Sequence, residues 1–293
     1  MHVGLLYSRI RRDEKLLLSE LRERGHDVTK IDVRAEQFNI SAAPPVFDEI
    51  DVVLDRCLAT SRSLYITRFL DAYDVEVVNS SETAQLCADK VNNSLALEAA
   101  GVPTPATEVA FTTDAALESI ERFGYPCVLK PVVGSWGRLM AKIDTRDAAE
   151  AILEHKATLG HYEHKVFYIQ EFVEKPGRDI RVLAVDGEPI AAMTRSSEHW
   201  LTNAAKGGET ANFELDERAL ELVERASEAV GGGLLGVDLM EVGENGDEYT
   251  VHEVNHTVEF KALNDAVGDN VDVPARVVDW LETRARAETE ATA

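Results

Sequence analysis

The sequence predicts an α/β protein, with a parallel layer at the N-terminus and hairpin-built α+β units after it. Three observations predict this class. Short β-branched runs alternate with helical patterns over the first ninety residues, a strand–helix–strand unit with a glycine turn follows, and from Phe167 onward the apolar runs are joined by tight turns.

In chain order, HVGLLY, DVTKIDV, DVVLD and VEVV read as strands, separated by the helical patterns EKLLLSELRERG and SLYITRFLDAY. Strands that alternate with helices pair in parallel, because a helical crossover is what returns the chain in the same direction. Ser80 or Ser81 caps a helix through SETAQLCADKVNNSLALEAAG, which Gly101 and Pro103 terminate. Residues 106–165 continue as a strand, a helix from about Asp114, the strand PCVLKPVV, the turn GSWGR, the strand LMAKI and a helix from about Asp147. After these, FYIQEFV, IRVLAV and PIAAMTR suit antiparallel hairpin strands, with Asp186-Gly187 as a two-residue turn. An amphipathic helix, DERALELVERASEAV, precedes GVDLMEV and EYTVHEV, which flank Asn245-Gly246. The last helix starts at about Pro274, and the polar, small tail AETEATA is expected to fray.

A chain of 293 residues is long enough for a core and a substrate cleft, and its formal charge of −23 opposes binding of a phosphate backbone over a broad face. Nucleic acid is therefore not an expected partner. With 10 Lys against 20 Arg and acidic residues spread along the chain, the composition resembles the proteome of a salt-accumulating cell; an ordinary acidic cytosolic protein is the alternative. Cys57, Cys87 and Cys127 form no CxxC pair and are odd in number, so neither a disulfide framework nor a cysteine zinc site is encoded. The opening MHVGLLYSRIRRDEK holds too short an apolar run for a signal sequence, and no stretch nears ~18 uninterrupted apolar residues. A cytoplasmic protein without a membrane span is expected.

Two motif matches fail on context. His252-Glu253-Val254-Asn255-His256 satisfies H-E-x-x-H, yet Tyr249, Thr250, Val251 and Val254 mark a strand. At ~3.3 Å per residue the two histidines would stand ~13 Å apart, too far to share one zinc. Gly231-Gly232-Gly233-Leu234-Leu235-Gly236 satisfies G-x-G-x-x-G, but a helix precedes it and a strand follows, the reverse of a dinucleotide fingerprint. It reads as a helix end and tight turn.

As strand residues, Glu253 and Asn255 share one face, and Asp238 on the other arm of the hairpin can approach it. Asp, Glu and Asn oxygens suit Mg²⁺ with bound phosphate rather than zinc. Lys130 ends an apolar strand and leads into Gly134-Ser135-Trp136-Gly137-Arg138, a loop able to close over phosphates while Lys130 and Arg138 neutralise their charge. It is not a Walker A loop, because the lysine precedes the glycines. Read singly, each of these residues also fits a solvated strand or a surface turn.

The ordered set Asp89-Lys90, AGVPTP, YPCVLKP with GSWGR, QEFVEKPGRDIRV and a late acidic strand ending EVN resembles the ATP-grasp carboxylate–amine ligases over nearly the whole chain. GSWGR, TRSSEHWLTNAAKGG and EVNHTVEFK make the likeness closest to the LysX and ArgX enzymes of the RimK-like branch. The resemblance implies a three-lobed ATP-grasp fold. Residues 1–88 would form a Rossmann-like N-terminal lobe, 89–170 a central subdomain with a mobile glycine-rich loop, 171–286 a C-terminal subdomain with the magnesium site, and 287–293 a frayed tail. It further implies ATP between the last two lobes, with Lys90 and Lys130 on the phosphates and Gly134, Ser135, Trp136, Gly137 and Arg138 as the mobile loop. Gln170, Glu171, Phe172 and Val173 would hold adenine and ribose, followed by Arg178 and Asp179. Asp238, Glu253 and Asn255 would ligate Mg²⁺, as two ions; Arg195 would act with Lys130 at the reacting carboxyl, and Asn203, Thr257, Glu259 and Phe260 would meet substrate.

The activity implied is ATP-dependent formation of an acylphosphate and its capture by an amine. For the LysX and ArgX enzymes the carboxylate is the C-terminal glutamate side chain of a small acidic carrier protein, LysW, and the amine is that of glutamate or 2-aminoadipate. The resemblance also implies a homo-oligomer. Two alternatives stand beside this one: a RimK-like glutamate ligase acting on a ribosomal protein tail or a cofactor, and a nucleotide-binding regulator that kept the fold and lost turnover.

Overall fold

The computed structural model describes residues 1–134, 139–158, 165–202, 208–243, 246 and 248–291. The N-terminal unit consists of β1 (His2–Tyr7), α1 (Arg12–Glu23), β2 (Asp27–Asp32), β3 (Val52–Arg56), α2 (Thr60–Ala72) and β4 (Val77–Val78). Its sheet runs β2-β1-β3-β4, parallel throughout. Both faces are buried, as a run such as Val3 to Leu6 requires. Leu6 and Val53 pack with Ile66 and Leu70 on one side, while Val3, Leu5 and Leu54 on the other join a core shared with the C-terminal unit.

The single helix expected from Ser80 to Gly101 is two: α3 (Ser81–Ala88) and α4 (Lys90–Ala99). Ser80 caps the first by accepting from the Thr83 N–H. Asp89 between them is extended, and its carboxylate accepts from the N–H groups of Val91 and Asn92. An aspartate that caps a new helix interrupts the old one, and Lys90 becomes the first residue of α4.

The central unit is β5 (Thr107–Ala110), α5 (Thr113–Phe123), β6 (Cys127–Lys130), β7 (Ala141–Ile143), α6 (Arg146–Thr158) and β8 (Phe167–Glu171). Its antiparallel sheet has the order β5-β8-β6-β7. FYIQE is thus an antiparallel strand, but it lies between β5 and β6 rather than pairing with the strand that follows it. Helices α5 and α6 cover one face through Ala116, Ile120 and Leu153.

The C-terminal unit holds β9 (Arg178–Val185), β10 (Glu188–Ser196), β11 (Glu209–Asn212), α7 (Glu217–Ala229), β12 (Leu234–Val242), β13 (Glu248–Asn255), α8 (Lys261–Val267) and α9 (Val273–Ala291). The five strands run β11-β10-β9-β12-β13, antiparallel throughout. Asp186 and Gly187 take φ values of 45° and 89° in the β9–β10 turn, the left-handed geometry that their side chains allow. Gly231, Gly232 and Gly233, at φ 91°, 73° and 106°, close α7 and turn the chain into β12, so the glycine run is a helix end. Helix α9 takes in most of the tail expected to fray, because ETRARAETEA is rich in good helix formers. α8 has no counterpart among the elements read from the sequence.

Candidate active site

A cleft of about 410 Å³ separates the central sheet from the five-stranded sheet. From the first side, β6 ends on Lys130 and β8 presents Gln170 beside it, both buried. Apolar neighbours at Cys127 to Leu129 carry β6 into the core, and the lysine emerges where the strand meets the cleft. Its ammonium donates to Gln170 Oε1 and to His252 Nε2. Burial lowers the pKa of Lys130 to about 7, helped by Lys90 and Lys175 and opposed by Glu253. Lys90 reaches in from the start of α4, donating to the Gly134 carbonyl at 3.0 Å and pairing with Glu253 at 3.1 Å.

Strands β9, β10, β12 and β13 supply the other side. Asp238 lies opposite Arg181 on β9 and Glu253 on β13, and Asn255 lies opposite Gly236. A β-bulge follows Asp238: Glu253 pairs with Asp238 while Val251 pairs with Leu239, which leaves His252 as the extra residue and admits it to the cleft beside Glu253. Arg181 and Arg195 both hold Asp238, the latter at 2.9 Å, and Arg195 also donates to Asp179 at 2.6 Å. Burial alone would raise the pKa of Asp238, but the two arginines outweigh it and keep the carboxylate ionised below its ordinary range. Burial likewise works against the charge of Arg195, and Asp238 and Asp179 override it to raise that pKa. Lys175 donates to Thr202 Oγ1 at 2.7 Å and pairs with Asp179 at 3.4 Å. Burial lowers its pKa too.

Glu171, Phe172 and Val173 also line the cleft, as does Trp200, whose ring centroid is 6.5 Å from that of Phe172. The Glu171 carboxylate accepts from the Ala106 N–H at 2.8 Å. Thr257 and Glu259 line the cleft as well; Arg11 of the N-terminal unit pairs with Glu259, and Arg56 donates to the Val258 carbonyl at 2.8 Å.

The fold therefore brings Lys90, Lys130, Gly134, Gln170, Glu171, Phe172, Val173, Asp179, Arg195, Asp238, Glu253, Asn255, Thr257 and Glu259 to one cleft. It does not bring Arg178 or Phe260 there. Strand alternation sends Arg178 to the other face of β9, where it makes a bidentate pair with Glu241 at 2.6 Å. Phe260 is fully buried in the core between the terminal units, with the Arg56 guanidinium 5.6 Å over its ring. Ser135, Trp136, Gly137, Arg138 and Asn203 lie outside the described residues. Residues that the sequence did not nominate also face the cleft: Lys175, Arg181, Trp200, Thr202 and His252. Arg181 was open to discovery, standing two residues beyond Asp179 on the same strand face. Nothing in the local sequence marks the bulge that admits His252.

The donor set of Asp238, Glu253 and Asn255 fits a hard cation. All three offer oxygen, all three line the cleft, and both carboxylates are matched by cationic side chains that a metal would supplement or replace. Among the described residues no three His, Cys, Asp or Glu side chains cluster as a metal cage of their own. Two carboxylates and an amide suit an ion completed by phosphate oxygens. Because His252 to Asn255 of H-E-x-x-H are strand β13 and His256 follows it, the two histidines are not one helical turn apart, as a zinc protease needs.

Comparison with known proteins gives two family matches: a LysX preATP-grasp domain over residues 3–86 and a RimK-like ATP-grasp domain over residues 87–281. The chain is 31% identical over 288 residues to the glutamate–LysW ligase ArgX of Sulfolobus acidocaldarius, covering 96% of this chain and 98% of that one. It is 32% identical over 286 residues to the α-aminoadipate–LysW ligase LysX of Sulfurisphaera tokodaii, covering 96% and 100%. Its fold superposes on the crystal structure of a RimK domain ATP-grasp protein from Sphaerobacter thermophilus with a TM-score of 0.80 at 28% identity, over 96% of this chain and 99% of that one.

Proposed function

The chain belongs to the RimK-like ATP-grasp family and is an ATP-dependent carboxylate–amine ligase; from that premise we propose that it acts on a LysW-type carrier protein. It activates the side-chain carboxylate of the carrier's C-terminal glutamate and joins it to the amino group of glutamate or 2-aminoadipate. One observation carries the ligase chemistry: Lys90, Lys130, Arg195, Asp238 and Glu253, from five separate elements, converge on one cleft; the carrier and the amino acid rest on the likeness to ArgX and LysX.

A carboxylate is a poor electrophile and its oxygen a poor leaving group, so amide formation needs that oxygen phosphorylated: the carboxylate takes the γ-phosphoryl group of ATP, ADP leaves, and the amine then displaces phosphate from the acylphosphate. Lys130 from the end of β6 and Lys90 from the start of α4 bring positive charge to the triphosphate. Arg195, already fixed by Asp179 and Asp238, is placed to meet the charge that passes between phosphate and carboxylate. Asp238, Glu253 and Asn255 would hold Mg²⁺, which would screen the charge on the phosphate oxygens. Positioning and charge neutralisation dominate such a transfer, because the protein forms no covalent bond of its own. Glutamate and 2-aminoadipate differ by one methylene, worth only ~0.8 kcal/mol in an apolar setting, so both stand as amines.

The deciding experiment is the intact mass of purified LysW carrier after incubation with the protein, ATP, Mg²⁺ and each amino acid in turn. A mass gain equal to a glutamyl or aminoadipyl unit is expected. An unchanged carrier with both amino acids would overturn the assignment.

A further inference from the structure

The ammonium of Lys130 is buried, and both partners found for it among the described residues are acceptors without formal charge: Gln170 Oε1 and His252 Nε2. Lys90 is handled differently, through an ion pair with Glu253. An ammonium has three hydrogens to donate and nothing to accept with, so the His252 nitrogen facing it must carry its lone pair. A second carboxylate here would cancel the charge of Lys130, and an apolar side chain would leave its end untethered. Two neutral acceptors fix the ammonium without setting a formal negative charge against it, with one donor position remaining for an anion.

We propose that His252 is a positioning residue: admitted to the cleft by the bulge in β13, it works with Gln170 to aim the Lys130 ammonium at the nucleotide phosphates. The proposal rests on the reading of Lys130 as a phosphate-binding group, but on no particular carrier or amino acid. The bulge gives β13 a double task. Glu253 pairs with the lysine of α4 while its neighbour His252 holds the lysine of β6, so two adjacent residues orient cations arriving from separate parts of the chain. Gln170 is itself fixed by donating to Thr107 Oγ1 at 2.9 Å and to the Tyr168 hydroxyl at 3.2 Å. Its acceptor oxygen is thereby directed at Lys130.

The test is direct binding of a non-hydrolysable ATP analogue with Mg²⁺, measured by calorimetry on the whole protein, alongside the KM for the amino acid. His252→Leu, which keeps bulk and removes the acceptor, is expected to weaken nucleotide binding about tenfold, the usual scale for a hydrogen bond to a charged group. His252→Gln restores an acceptor and should bind within about threefold of the parent, and the KM for the amino acid should stay flat in both. In a cycle with Lys130→Met, the two losses should fail to add, because each removes the same contact. Parent-like nucleotide affinity in His252→Leu, with Lys130→Met weakened, overturns the proposal while leaving the ligase assignment intact. Equal losses in His252→Leu and His252→Gln overturn it in favour of a packing role. Parent-like affinity in Lys130→Met removes its premise.

Discussion

Single side chains at the cleft carry the sharpest expectations. Glu253 faces the cleft with its charge met by Lys90, and Asp238 is gripped by Arg181 and Arg195. Glu253→Ala should lower ATP-dependent ligation by ~10²- to 10³-fold, the range seen when one charge-stabilising group is removed, as read from ADP release with carrier and amino acid present. Near-normal turnover would show that the carboxylate does not serve the metal. Far from the cleft, Glu14 is fully buried, accepting from the Arg11 backbone N–H at 2.7 Å and from Arg56 at 3.3 Å. Burial raises its pKa, but the two arginines outweigh that and leave it below the ordinary 4.5. A depressed carboxylate stabilises the fold above its unfolded pKa and loses that contribution as pH falls through the folded value. The thermal midpoint of the parent should therefore drop more steeply than that of Glu14→Gln below pH 4.5, and parallel acid limbs would refute this. Much of the site was legible at this scale because its residue types are scarce or chemically committed, as with Lys130 at a strand end. Arg178 and Phe260 were misread because adjacency in sequence does not say which face of a strand, or which side of a turn, a residue occupies.

Elements decide where those side chains point. Asp89 is the clearest case, since its carboxylate caps α4 and fixes the helix whose first residue is Lys90. Asp89→Ala should cost ~0.5–2 kcal/mol in urea melts and also weaken nucleotide binding, because the lysine loses its defined origin. Loss of stability with unchanged nucleotide affinity would separate cap from site. The break between α3 and α4 escaped the sequence pattern because the apolar spacing runs through it, and the interruption comes from one side-chain oxygen. The bulge that admits His252 was equally silent, being a matter of register between β12 and β13. By contrast, the parallel N-terminal layer was plain from its alternation of runs, and the Asp186-Gly187 hairpin from its turn chemistry. For β8, alternation identified a strand but could not name its neighbours, which are set by the sheet as a whole.

For the molecule as a whole, the way its cores are divided matters most. Val3, Leu5 and Leu17 from the N-terminal unit share one apolar cluster with Leu183, Phe260 and Val277 from the C-terminal unit. Arg56 crosses the same boundary, buried between Glu14 and the Val258 carbonyl. Arg56→Ala leaves buried Glu14 to Arg11 alone and removes the arginine paired with Asp13, so it should destabilise the protein by ~1–3 kcal/mol in chemical denaturation. A change under about 1 kcal/mol would mean that the boundary is wet. The central unit is different, since among the described residues its cluster, from Ala110 to Ile169, draws on none outside that unit. The terminal units are thus fused into a single chassis, and the piece bearing Lys130 is hung on it like a door. A change in the angle of that door would leave both apolar interiors whole, and the contact it would alter is the one between Lys130 and His252 on the frame.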